Sequence, residues 1–174
     1  CGSEGGHSNH DMILENVMSL PVTITDAKYA TFFAPVAVKV PTGVTAYTAT
    51  INDNWVTLNE ITTGVIPANT GVVLYANVEE ATTYNLDITE NVEGIASDLR
   101  GSVATTYYTE AGTYYALALV DGVVGFYKDE FKDDRFQNNS HKAYLYVAGR
   151  AETASYSFRF GEDTTGIDQI TDNR

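Results

Sequence analysis

Residues 114–128 read YYALALVDGVVGFYK, two β-rich runs separated by Asp121-Gly122. An Asp-Gly pair between such runs supplies the positive φ angles of a two-residue type I′ turn, so the stretch predicts a β-hairpin. Outward from it the same pattern recurs. Toward the N-terminus, Thr82–Ile88 alternates, with Tyr84, Leu86 and Ile88 on one face. Gly71–Ala76 is a continuous apolar run of core-strand length. Val44–Ile51 and Trp55–Ile61 flank the turn-forming triplet Asn52-Asp53-Asn54, and Val36, Val38 and Val40 repeat at every second residue up to Pro41. Val22 and Ile24 alternate with Thr23 and Thr25, and Tyr29–Phe33 follows. Toward the C-terminus, Lys142–Val147 and Ser155–Phe160 read as strands. In the second, Tyr156, Phe158 and Phe160 face one way and Ser155, Ser157 and Arg159 the other. Lys128–Asn139 is charged and reads as a long loop.

About ten short strands, turn signals between them and no helical period predict an all-β fold, an antiparallel β-sandwich of jelly-roll-like kind. Composition agrees: Val, Ile, Thr and Tyr dominate, with 12 Tyr in 174 residues. The expected organisation is a leading segment or linker over 1–19, a sandwich over 20–168 and a short tail over 169–174. Within the first segment, Met12–Met18 is read as a short strand.

Ten basic and 23 acidic residues leave a formal charge of −13. No Lys/Arg stripe offsets it, so nucleic acid and anionic headgroups are not expected partners. Neutral glycans, cationic peptides and divalent cations remain compatible, although the charge also serves simply to keep an exposed domain soluble. No apolar run approaches the 18 residues of a membrane helix, and membrane insertion is not expected. Cys1 is the only cysteine, which excludes an internal disulfide. Two readings of Cys1 stand, the lipid-carrying first residue of a bacterial lipoprotein or the place where a longer protein was cut; the cut is preferred.

Six segments occur together in order: VTITDAKYATFFAPVAVKVPTGVTAYTA (22–49), IPANTGVVLYA (66–76), SDLRGS (97–102), YYALALVDGVVGFYKDE (114–130), HKAYLYV (141–147) and FGEDTTGI (160–167). Their succession resembles a C-terminal accessory β-domain of secreted and cell-surface proteins of Bacteroidetes. The resemblance spans roughly Leu20–Ile167 and implies an extracellular module, a fragment whose partner is the remainder of a longer parent chain, of a kind appended to varied proteins, glycan-active enzymes among them. It brings no catalytic motif with it. The motifs also have structural duties: Asn69-Thr70-Gly71 turns the chain before a buried strand, and Gly125 permits close backbone approach or a bulge.

Constellations for chemistry are sparse. His7, His10, Asp11 and Glu15 lie close in sequence and would suit a divalent metal, against the reading of a solvated N-terminal segment, and no metal site is assigned. Acid pairs at Asp129-Glu130, Asp133-Asp134 and Glu162-Asp163 leave calcium as a weakly supported cofactor, without EF-hand spacing. No nucleophile elbow is present, and glycosidase carboxylate pairs belong to larger clefts; catalysis is not expected. Carbohydrate binding asks instead for exposed aromatics. The candidates are Trp55, Tyr107, Tyr108, Phe131 and Phe136, with packing of Trp55 into the sandwich as the preferred reading of that residue. Three functions follow: a non-catalytic accessory or interaction domain, a carbohydrate-binding module serving an attached enzyme, or a fimbrial or adhesin-like subunit. Expected partners are accordingly glycans or other surface proteins.

Overall fold

The computed structural model describes residues 19–52, 55–129, 135–148 and 154–160. Met12–Met18 lies outside them. The described residues are all-β, with fifteen strands.

The first eight strands are β1 (Ser19–Ile24), β2 (Tyr29–Phe32), β3 (Ala37–Lys39), β4 (Thr45–Asn52), β5 (Trp55–Glu60), β6 (Val65–Ile66), β7 (Val72–Tyr75) and β8 (Thr82–Thr89). They pair antiparallel as β1 with β8, β2 with β7, β3 with β6 and β4 with β5. This is a long hairpin ribbon folded on itself. Rolling it places its strands alternately in two sheets, one ordered β1-β8-β3-β6 and the other beginning β2-β7-β4-β5. That arrangement of eight strands is a jelly roll.

The remaining strands are β9 (Leu99–Gly101), β10 (Thr106–Tyr108), β11 (Thr113–Val120), β12 (Val123–Lys128), β13 (Phe136–Asn138), β14 (Ala143–Val147) and β15 (Ser155–Phe160). Five of them extend the second jelly-roll sheet to nine strands, β2-β7-β4-β5-β15-β12-β11-β14-β9, while β10 and β13 form a separate pair. The extended sheet curls back upon its start. Phe33 N donates to the carbonyl of His141 at 3.0 Å, Asp98 N to that of Ala49 at 2.7 Å, and Ala143 N to Thr31 Oγ1 at 3.1 Å.

Three cores result, and strand alternation explains them. Along β7, Val72 and Leu74 point into the jelly-roll core with Phe32, Val38, Ile66 and Leu86, while Val73 points the other way. There it meets Val56, Leu58, Tyr115, Phe126, Leu145 and Tyr156 inside the curled sheet. Burial on both faces is why 71–76 is apolar without alternation. A third cluster, Tyr114, Phe136 and Tyr144, lies on the outer face of β11 and β14 beneath the β10–β13 pair.

The hairpin at 114–128 forms as its sequence predicts: Val120 pairs with Val123, and Asp121 and Gly122 have φ of +51° and +80°. Asn52 pairs with Trp55, closing the β4–β5 hairpin.

Three expectations need correction. Fifteen strands replace about ten, because β6, β9, β10 and β13 have two or three residues each, too few to display a period. The long loop at Lys128–Asn139 contains β13. Pairing is not antiparallel throughout, since β15 runs parallel to β5, with Ser157 opposite Trp55 and Phe160 opposite Leu58.

Candidate functional site

The seam between β5 and β15 decides what faces solvent. Val56 and Leu58 on β5, and Tyr156, Phe158 and Phe160 on β15, turn into the second core. Period-two alternation therefore puts Trp55, Thr57, Ser155, Ser157 and Arg159 on the outer face. On β12, Phe126 turns inward, so Val123, Gly125 and Tyr127 share that outer face. Register aligns Trp55, Ser157 and Gly125 in one row across three strands.

Trp55 is 38% exposed, and the guanidinium of Arg159 lies 4.7 Å from its ring centroid. The cation orients the indole without covering both of its faces. Beside it, Asn52 Nδ2 donates to Thr57 Oγ1 at 2.8 Å and Asn59 Nδ2 to Thr50 Oγ1 at 3.3 Å. Two strands away the Tyr127 hydroxyl donates to the Val123 carbonyl at 2.9 Å, which lays the phenol along its own strand over Gly125. A Cβ on Gly125 would stand 3.7 Å from Tyr127 Cε2 and 2.7 Å from the Tyr156 carbonyl oxygen. The glycine is what lets this row stay flat. None of these outward strand positions is an Asp or Glu, in a chain of net charge −13. The face is flat, aromatic at two points, fringed with amides and hydroxyls, and carries one cation.

The packing expected of Trp55 is corrected: it starts a strand on the outward phase of the alternation, whereas Val56 after it is fully buried. Phe136 is corrected in the opposite sense. It is 3% exposed and stacks on Tyr114 with centroids 4.7 Å apart, so it is a packed ring and not an exposed stacking platform. Tyr108 is half-buried against Tyr144, at 5.2 Å. Tyr107 is 48% exposed, and the Arg135 guanidinium lies 4.2 Å from its ring centroid. Tyr107 belongs to the separate β10–β13 pair and not to the sheet that carries Trp55. Phe131 lies outside the described residues.

The same holds for His7, His10, Asp11 and Glu15 and for all the paired acids except Asp129. Among the described residues, no group of three or more His, Cys, Asp or Glu side chains is placed to hold a metal. His141 has a structural place: its φ is +59°, its Nδ1 is 2.9 Å from the Phe33 carbonyl, and its backbone N donates to Ser102. Arg159 and Tyr127 escaped the sequence reading as site residues, although the alternation of 155–160 already put Arg159 opposite the aromatics.

Comparison with family models, with curated proteins and with solved structures finds no match to this chain.

Proposed function

We propose that this chain is a non-catalytic, extracellular accessory module of a larger secreted or surface protein, and that it engages carbohydrate on the outer face of β5, β15 and β12. The observation that carries the reading is Trp55, exposed at 38% on a flat strand face with no carboxylate among its described residues, and oriented by Arg159. A pyranose ring presents a patch of C–H groups that stacks on such an indole, and neighbouring amides and hydroxyls read its hydroxyl groups. Strand donation to a neighbour, the adhesin-like alternative, has less support. Of the outer strands of the jelly-roll sheets, β6 has two residues and β1 carries Pro21, both features that blunt an edge.

The test is a polysaccharide and glycan-array screen of the chain, with and without calcium. Specific binding is expected, weakened about tenfold or more in Trp55→Ala, the equivalent of about 1.4 kcal/mol. Arg159→Ala is expected to weaken it less. Absence of any glycan whose affinity depends on Trp55 would refute the reading.

A further inference from the structure

A cleft of about 300 Å³ opens where the jelly roll meets the second half of the chain. Thr23 and Thr25 lie on the jelly-roll side, Gln137, Asn138 and Asn139 on the other, and Lys142 lines it with Thr31 and Ala143. It is distinct from the Trp55 face, which contributes none of its lining.

Its chemistry stands apart from the molecule's. The chain carries 23 acidic residues, yet among the described residues no carboxylate lines this cleft, and Lys142 is the single charged one that does. That lysine is half-buried, and burial alone lowers its pKa. Among the described residues, its ammonium has no ion pair and no hydrogen bond. A half-buried cation without a counter-charge is costly to keep unless something compensates it.

The polar lining is already held in place. Asn138, 4% exposed, donates from Nδ2 to Ser102 Oγ at 2.8 Å and to the Lys142 carbonyl at 2.9 Å. Gln137 Nε2 donates to Asn139 Oδ1 at 2.8 Å. Fixed amides and threonine hydroxyls suit a ligand rich in hydroxyl groups, because little ordering remains to be done on binding. Tyr29 and Phe136 add apolar walls. The volume sits at the lower end of small-molecule sites, which suits one or two sugar rings and not a polymer.

We propose that this cleft binds a small acidic saccharide, a uronate- or sialate-type sugar whose carboxylate pairs with Lys142 while the amides of 137–139 and the hydroxyls of Thr23 and Thr25 meet its hydroxyl groups. The proposal is independent of glycan binding at Trp55.

The experiment is calorimetric titration of the chain with galacturonic acid, its trimer and N-acetylneuraminic acid, with galactose as the neutral control. At least one acidic probe binds saturably, more tightly than galactose, and more weakly as salt is raised. Lys142→Met reduces that binding at least tenfold without lowering the thermal unfolding midpoint, Lys142→Arg retains most of it, and Gln137→Ala, at an exposed position, weakens it. Trp55→Ala leaves it intact. Equal affinity for galactose, indifference to both Lys142→Met and Gln137→Ala, or no binding of any acidic probe overturns the proposal. Loss of acidic-sugar binding in Trp55→Ala overturns it too, by moving the site to the sheet face.

Discussion

At the scale of single residues, tyrosine does most of the unusual chemistry. Tyr29 and Tyr115 are both pushed up to about 12, chiefly by burial and then by neighbouring tyrosines, and burial also raises Tyr114 and Tyr144. In the unfolded chain these phenols titrate near 10. Between about pH 10 and 12 the unfolded state therefore releases protons that the folded state keeps, so stability is intact below pH 10 and falls as pH rises above it. Lys142 opposes this weakly, since its lowered pKa favours the fold as it loses its proton. Urea midpoints measured from pH 8 to 11.5 should be level and then decline, with phenolate absorbance rising alongside unfolding. Tyr115→Phe should flatten the decline, and a level profile through pH 11.5 would count against burial as the cause. The same scale shows where the sequence was silent about the site. Trp55 and Phe136 have exchanged the environments expected of them. Trp55 faces out because it starts β5 on the solvent phase, and Phe136 is buried because β11, about twenty residues before it, and β14, the strand after it, supply Tyr114 and Tyr144 beneath it. Strand phase is readable from local alternation; the packing of a three-residue strand over the face of another sheet is not.

Among the elements, the β12–β15 pairing carries the flat face, and its tolerance can be measured. A methyl group at Gly125 would stand 2.7 Å from the Tyr156 carbonyl oxygen, a backbone atom that cannot rotate aside. Overpacking of this kind costs about 1–3 kcal/mol, offset by up to about 1 kcal/mol from the stiffer unfolded chain. Gly125→Ala should accordingly lower the urea midpoint, whereas Gly94→Ala, whose added Cβ meets nothing within 4 Å, should be neutral or slightly stabilising. Equal behaviour of the two variants would mean that the strands separate freely and the face is not held flat. The elements with an internal signal were legible in the sequence: the Asp121-Gly122 hairpin, the alternating β8 and β15, and the unbroken apolar β7 with burial on both faces. Four were not. At β6, β9, β10 and β13 two or three residues pair with strands that are mostly remote in sequence, and tertiary hydrogen bonding alone defines them. The parallel match of β15 to β5 was hidden for a related reason, because about a hundred residues separate the partners and nothing local distinguishes a parallel from an antiparallel neighbour.

For the whole molecule, the decisive fact is that β2, β7 and β4 are a wall common to two cores. Ala30, Phe32, Ala46, Val72 and Leu74 close the jelly-roll core from one side, and Tyr29, Tyr47, Ala49 and Val73 close the second core from the other. Neither core can be opened without exposing the back of the other. A jelly roll cut free after β8 would present Tyr47, Val56, Leu58 and Val73 to water, a liability that the curled-back strands β9, β11, β12, β14 and β15 remove. The chain should therefore unfold in one transition despite its several sheets and its long sequence separations. Ile66→Ala, in the first core only, and Leu145→Ala, in the second only, should each cost about 2–5 kcal/mol and move the same transition. Both residues are buried, at 1% and 0% exposure. The fluorescence of Trp55, the single tryptophan, and far-ultraviolet circular dichroism should share one midpoint in urea for the parent and for both variants. Two separated midpoints, with Ile66→Ala moving one and Leu145→Ala the other, would show that the common wall does not couple the cores, and would make the jelly roll an independently folding unit on which the later strands are merely mounted.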